Sequence, residues 1–156
     1  MRKVNKSTPA PGRSARAVAM DLLARREHSL AELRAKLAER DFSPEEAEAA
    51  VVALAREGLA SDSRFLDAFV ASRIRKGQGP IRIRAELRQR GIDAATIDAA
   101  LDAAHDWCAL ARAVRAGRFG GTSPVDVRER ARQSRFLEYR GFTSGQIRAS
   151  FGNSED

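Results

Sequence analysis

The chain has one cysteine, Cys108, and two histidines, His28 and His105, so it can close no internal disulfide and offers no thiolate and imidazole set for a zinc-type site. Aromatic residues make up only 6%, with a single Trp and a single Tyr. No apolar run approaches the roughly 18 residues needed to span a membrane. The opening Met1-Arg2-Lys3-Val4-Asn5-Lys6 leads into Ser, Pro and Gly rather than an apolar signal core, which predicts a cytoplasmic protein. Strand-like alternation is also missing. What is present, 43% apolar and 31% charged residues over 156 positions, describes a globular chain of one ordinary domain or a few very small ones.

The catalytic constellations are absent as well. A hydrolase triad needs a nucleophile, a base and an orienting acid, yet His28 falls in a turn and His105 near a helix end. Glu45 and Glu46 sit where a helix N-terminus favours acid, and Cys108 beside Trp107 reads as packing at a junction. Gly77-Gln78-Gly79-Pro80 and Gly117-Arg118-Phe119-Gly120-Gly121 follow no strand and lack the Lys-Ser/Thr of a nucleotide loop, so they read as helix linkers. The chain is therefore expected to be no enzyme, with no cofactor, no metal and no small-molecule substrate.

Charge carries more information. Lys and Arg number 28 against 21 Asp and Glu, giving +7 and pointing to an anionic partner. Residues 14–61 are mildly acidic. Residues 73–90 set Arg73, Arg75, Lys76, Arg82, Arg84, Arg88 and Arg90 against Glu86 alone, and residues 112–135 set seven arginines against Asp126 and Glu129. Arg73, Arg75, Lys76, Arg82, Arg84 and Arg88 are the first candidates for contact with a partner. Arg112, Arg115, Arg128, Arg132 and Arg135 are the second group. Arginine suits both phosphate and carboxylate because its planar fork donates in pairs.

Apolar spacing predicts helices throughout. Ala15, Val18, Ala19, Leu22 and Leu23 form one amphipathic stripe ending near Arg26. Ser29 and Glu32 read as a capping box for a second helix with Leu30, Leu33 and Leu37 inward. Ser43-Pro44-Glu45-Glu46 opens a third, lined by Ala47, Ala50, Val51 and Leu54 and closed by Gly58. Asp62 is expected to cap the next, with Phe65, Leu66, Phe69, Val70 and Ile74 inward. A short helix follows from about Ile81 to Arg90 with Ile83 and Leu87, then one capped by Asp93 with Ile97, Ala100 and Leu101. Leu110, Ala111 and Val114 mark a further helix, Gly117 to Pro124 a loop, and Val127, Ala131, Ser134 and Leu137 the inward side of another. Ile147, Ser150 and Phe151 mark the last.

The chain repeats itself every 50 residues. Leu37, Leu87 and Leu137 coincide, as do Arg40, Arg90 and Arg140; Phe42, Ile92 and Phe142; Ser43, Asp93 and Thr143; Ala47, Ile97 and Ile147; and Val51, Leu101 and Phe151. Each set is a helix end, a tight turn, an apolar plug and a new helix start. The expected fold is all-α: three tandem three-helix repeats, helix-turn-helix-like, at 14–60, 61–106 and 107–152 in an elongated, curved array. A flexible basic tail is expected at 1–13 and a flexible end at 153–156. Few Asn, Gln or aromatic residues are available to read bases, so any contact with single- or double-stranded DNA should be weak and non-specific.

Three groups of residues resemble the RecX family of regulatory proteins, modulators of the RecA recombinase, over about residues 15–151. They are Ala17 to Leu23 with Ser29, Glu32 and Leu33; Asp62, Phe65, Val70, Arg73, Gly77, Gly79, Ile83, Glu86, Leu87, Gly91 and Ile92; and Phe136-Leu137-Glu138-Tyr139-Arg140-Gly141-Phe142 with Ile147. Leu66 and Asp41 depart from the pattern at a packing and a turn position. The resemblance implies a non-enzymatic regulator that binds the RecA filament, in its groove, and inhibits its ATPase, strand-exchange and coprotease activities, so modulating recombination, DNA repair and the SOS response. The charge alone also fits a non-specific DNA-binding protein of architectural or transcriptional type, or a helical adaptor for another acidic protein.

Overall fold

The computed structural model describes residues 12–152, so most of the expected basic tail and the residues 153–156 lie outside the described part. Nine α-helices make up the described residues: α1 (Ala15–Arg25), α2 (Leu30–Glu39), α3 (Pro44–Arg56), α4 (Asp62–Arg75), α5 (Pro80–Gln89), α6 (Ala94–Ala104), α7 (Trp107–Phe119), α8 (Val127–Arg140) and α9 (Ser144–Ser150). The chain forms two compact units. One holds the chain through Ala68 together with Arg90–Ile92, and the other holds Phe69–Gln89 and the residues from Asp93 on.

In the first unit α1 and α2 pack on α3. Ala19, Leu33, Leu37, Val51 and Leu54 are completely buried there, with Val18, Leu22, Ala47 and Ala60 around them. Each fully buried Leu or Val contributes about 1.5–3 kcal/mol through removal of its apolar surface from water. The start of α3 follows the reading from sequence closely. Ser43 Oγ accepts from Glu46 N while the Glu46 carboxylate accepts from Ser43 N, and Pro44 occupies the first turn. In the second unit Ala111, Leu137, Phe142, Ile147 and Phe151 form a core between α7, α8 and α9, and Ile83 and Leu87 of α5 are fully buried.

Four local expectations are corrected. Asp62 does not cap α4: Ser61 Oγ accepts from Arg64 N at 3.2 Å, and the Asp62 carboxylate accepts from Leu30 N at 2.8 Å, at the start of α2. Ser29 caps α2, but Glu32 does not return the bond, because Arg26 at 2.9 Å and Arg90 at 3.6 Å hold its carboxylate. Gly117 lies inside α7, which continues to Phe119 and ends at Gly120. Val127 and Ala131 face outward. The inward side of α8 is Gln133, Phe136, Leu137 and Arg140, because the polar Gln133 occupies the register held by Leu33 and Ile83 in the earlier repeats.

The same joint occurs once in each unit, 50 residues apart. In the first, Ser29 Oγ donates to the carbonyl of Arg90 at 2.8 Å, and a Cβ on Gly91, whose φ is +84°, would lie 2.4 Å from the Ala31 Cβ. In the second, Gly79 N donates to Arg140 O at 2.8 Å, Ile81 N donates to Gly141 O at 2.9 Å, and Arg140 Nη1 donates to Lys76 O at 2.9 Å. There a Cβ on Gly141, at φ +97°, would lie 2.5 Å from the Arg82 Cβ, and one on Gly79 would meet the Gly141 carbonyl at 2.4 Å. At Gly91 and Gly141 glycine is required both by the left-handed turn and by the neighbouring Cβ packed against it, and at Gly79 by the backbone of Gly141 alone. At the matching turn of the first repeat the chain uses Asp41, exposed and at φ 65°. Beside the first joint His28 is 2% exposed and donates from Nδ1 to Arg26 O at 3.0 Å; burial holds its imidazole below the usual 6.5.

Candidate functional site

All eleven cations expected to meet a partner lie in the second unit. Over the described residues that unit carries 15 basic and 8 acidic side chains, whereas the first carries 10 and 11. In the first unit Arg16 pairs with Glu57, Arg34 with Glu48 and Arg64 with Glu27. The field that could attract an anion therefore originates in the second unit.

The eleven are not equivalent. Arg73 is spent internally: its Nε donates to Glu86 Oε2 at 2.7 Å and its guanidinium lies 4.3 Å over the Phe69 ring, with 18% of the side chain exposed. Arg82 shares Glu86 at 3.5 Å, and Arg84 pairs with Asp98 at 2.7 Å. Arg75 and Lys76, at the end of α4, and Arg88, on α5, are exposed, and no carboxylate among the described residues pairs with them. They are the cations of this group free to meet a ligand.

In the later group two arginines serve the end of α9. A seven-residue helix leaves its last carbonyls unmet, and here Arg112 Nη2 donates to Ala149 O at 3.3 Å, Arg115 Nε to Ser150 O at 3.1 Å and Ser123 Oγ to Phe151 O at 2.6 Å. The expectation that Arg115 contacts a partner is corrected on this ground. It is 2% exposed, donates also to Gln133 Oε1 at 3.3 Å and lies 4.9 Å over the Phe151 ring. Burial, then the neighbouring Arg112 and Arg130 cations, lower its pKa. Arg132 grips Glu129 with two bonds of 2.9 and 3.0 Å, which keeps the Glu129 carboxyl below its usual range and raises Arg132. Arg128 and Arg135 are exposed without a carboxylate partner among the described residues.

Sequence reasoning missed the surroundings of these cations. Tyr139 is 80% exposed with the Arg82 guanidinium 5.9 Å from its ring, and Val125 and Val127 are fully and 81% exposed. Phe119 and Phe136 meet edge to face at 5.2 Å and are overlaid by Arg118, Arg132 and Arg140. A helical wheel of α8 drawn around Leu137 would have placed Val127 and Tyr139 outside. Among the described residues no group of three or more His, Cys, Asp or Glu side chains could hold a metal, and no helix is long and apolar enough to cross a membrane.

The arrangement suits binding of an anionic macromolecule through dispersed charge, and comparison with known proteins gives it a family. Residues 15–54, 61–101 and 106–150 match the first, second and third three-helix domains of RecX. The regulatory protein RecX of Halorhodospira halophila is 49% identical over 148 residues, covering 94% of this chain and 92% of that one. The regulatory protein RecX of a Pseudomonas fluorescens strain is 51% identical over 133 residues, covering 85% and 86%. Among solved structures, RecX from Lactobacillus salivarius superposes with a TM-score of 0.74 at 19% identity, over 87% of this chain and 91% of that one. All nine helices and the three matched domains thus agree with an all-α fold of three-helix repeats, and the chain belongs to the RecX family of regulatory proteins.

Proposed function

We propose that the protein regulates the RecA recombinase in the cytoplasm by binding its nucleoprotein filament, in the groove, and that it inhibits the filament's ATPase, strand-exchange and coprotease activities without catalysing a reaction itself. Recombination, DNA repair and the SOS response would be modulated accordingly. Family membership carries the reading, and the unpaired Arg75, Lys76, Arg88, Arg128 and Arg135 of the second unit support it, since a filament offers both acidic protein surface and DNA phosphate. We take 14–60, 61–106 and 107–152 as the repeats, with the second and third engaging the filament, several weak contacts on one chain adding to a strong one. Bridging of adjacent RecA protomers would hinder the inter-subunit motion that ATP turnover needs.

The test is the single-stranded-DNA-dependent ATPase of RecA, titrated with this protein at fixed salt and with a DNA competitor in parallel. Inhibition at substoichiometric amounts that persists under excess DNA supports filament-directed regulation. Inhibition only when the protein saturates the DNA would instead make it a sequence-non-specific DNA-binding protein.

A further inference from the structure

α8 differs from its counterparts α2 and α5. It has 14 residues against their 10, and from Val127 to Arg132 every residue is exposed save the half-buried Glu129. Its core side, Gln133, Phe136, Leu137 and Arg140, occupies one sector of the helix. Val127, Ala131 and Arg135 recur at i, i+4 and i+8 on the opposite sector, with Arg128 and Tyr139 beside them. The stripe from Val127 to Tyr139 is about 18 Å long at the usual helical rise.

Its chemistry is mixed in an informative way. Arg128 and Arg135 have no carboxylate partner among the described residues and outnumber the exposed Glu138 on the same side of the helix, so the face is net positive. Yet its midline is aliphatic and Tyr139 stands 80% exposed at its end. Val127 and Ala131 gain nothing against a phosphate backbone. Tyr and Arg around an apolar centre are the side chains that dominate protein–protein contacts. Arg75 and Lys76 have no comparable apolar company, since Ile74 beside them is turned inward, and Arg88 has only Ile81, 52% exposed on the same side of α5, with no aromatic residue near it on that helix.

We propose that the outer face of α8 is a protein-docking surface for an acidic partner segment carrying apolar side chains, and that Arg75, Lys76 and Arg88 meet nucleic-acid phosphate instead. The proposal rests on the filament reading above and divides that contact between two surfaces. Val127 and Tyr139 would enter apolar positions on the partner while Arg128 and Arg135 pair with its carboxylates.

A full-length V127S/Y139S variant changes no charge and touches no buried residue, so helical circular dichroism should match the wild type. Two affinities are measured: for RecA filaments assembled on immobilised single-stranded DNA, and for a fluorescein-labelled oligothymidylate alone. The filament affinity should fall about tenfold or more, as for loss of interface anchors, while oligothymidylate affinity stays within about twofold. An Arg75→Gln, Lys76→Gln, Arg88→Gln variant should lose oligothymidylate affinity instead. Unchanged filament affinity in V127S/Y139S, or a tenfold loss on oligothymidylate, overturns the proposal; the latter would make α8 a nucleic-acid face. If the wild type shows no preference for filaments over bare oligothymidylate, the filament reading fails. The proposal, which rests on that reading, is then overturned with it, whereas a wild-type filament preference that V127S/Y139S keeps in full overturns the α8 surface alone.

Discussion

The Ser29 hydroxyl bonds the Arg90 carbonyl at 2.8 Å across 61 residues of sequence, while accepting from Glu32 N at 3.0 Å as the cap of α2. One fully buried side chain thus starts a helix and ties a later turn to it. Ser29→Ala removes both bonds and leaves a buried backbone acceptor and donor unmet. We expect a loss of about 2–3 kcal/mol, read as a lower urea midpoint, with Ser29→Thr recovering part of it. A loss below about 0.5 kcal/mol, within the range of ordinary surface changes, would show that the joint contributes little.

The turn glycines should separate by neighbour. Gly141→Ala meets both a left-handed backbone and the Arg82 Cβ at 2.5 Å, so it should cost at least about 2 kcal/mol. Asp41→Gly, at φ 65° on an exposed turn, should instead stabilise by up to about 1 kcal/mol. Equal effects at the two sites would contradict the packed joint as the reason for glycine.

His28 gives the fold a pH dependence with a definite sign. Because burial lowers its folded pKa below 6.5, the unfolded chain binds the extra proton first as pH falls. Stability from this group is full above the unfolded value and is lost between it and the folded value. Urea midpoints should drop from pH 7.5 to 5.5, and His28→Gln should flatten that slope. An unchanged slope in the variant would assign the dependence elsewhere.

Arg115 should behave as a core residue. Arg115→Met frees the Ser150 carbonyl and breaks the bond to Gln133, for an expected loss of about 2 kcal/mol. Adding Gln133→Leu, the residue type that Leu33 supplies in the first repeat, should recover at least half of it. Thermal melts of the single and double variants decide this. The single variant should leave oligonucleotide affinity nearly unchanged.

Charge reversal at Arg75, Lys76 and Arg88 is expected to weaken DNA binding and flatten its salt dependence, by about one unit of log–log slope for each phosphate that is no longer neutralised. Anisotropy titrations over a salt series provide the slope. A slope equal to that of the wild type would remove these three from the DNA-binding surface.

Legibility from sequence followed the range of the interaction. The capping box at Ser43 and the stripe Ala47, Ala50, Val51 and Leu54 were readable because cap and spacing are local. So was the period of 50, whose Leu37, Leu87 and Leu137 are all completely buried. Asp62 was misread because the nearest helix start is the natural place for its carboxylate, whereas its partner is Leu30 N, 32 residues back. The inward side of α8 was misread because Gln133 and Arg115 fill positions where apolar residues are the usual occupants, leaving Val127 and Ala131 to look like the stripe. Among the arginines, clustering located the unit that carries the excess charge. It could not show that Arg73 and Arg115 are consumed by Glu86 and by the end of α9, since those partners come from other helices.

Asp41 gives the repeat a direction of growth. A turn that receives another module must be bare of side chain, as Gly91 and Gly141 are, because the neighbour's Cβ comes within 2.5 Å of where a side chain would begin. The first turn instead carries the Asp41 side chain, which a copy stacked there in the same way would meet. A lineage that lengthened the array by duplication would have to insert the new unit downstream, or replace Asp41 first.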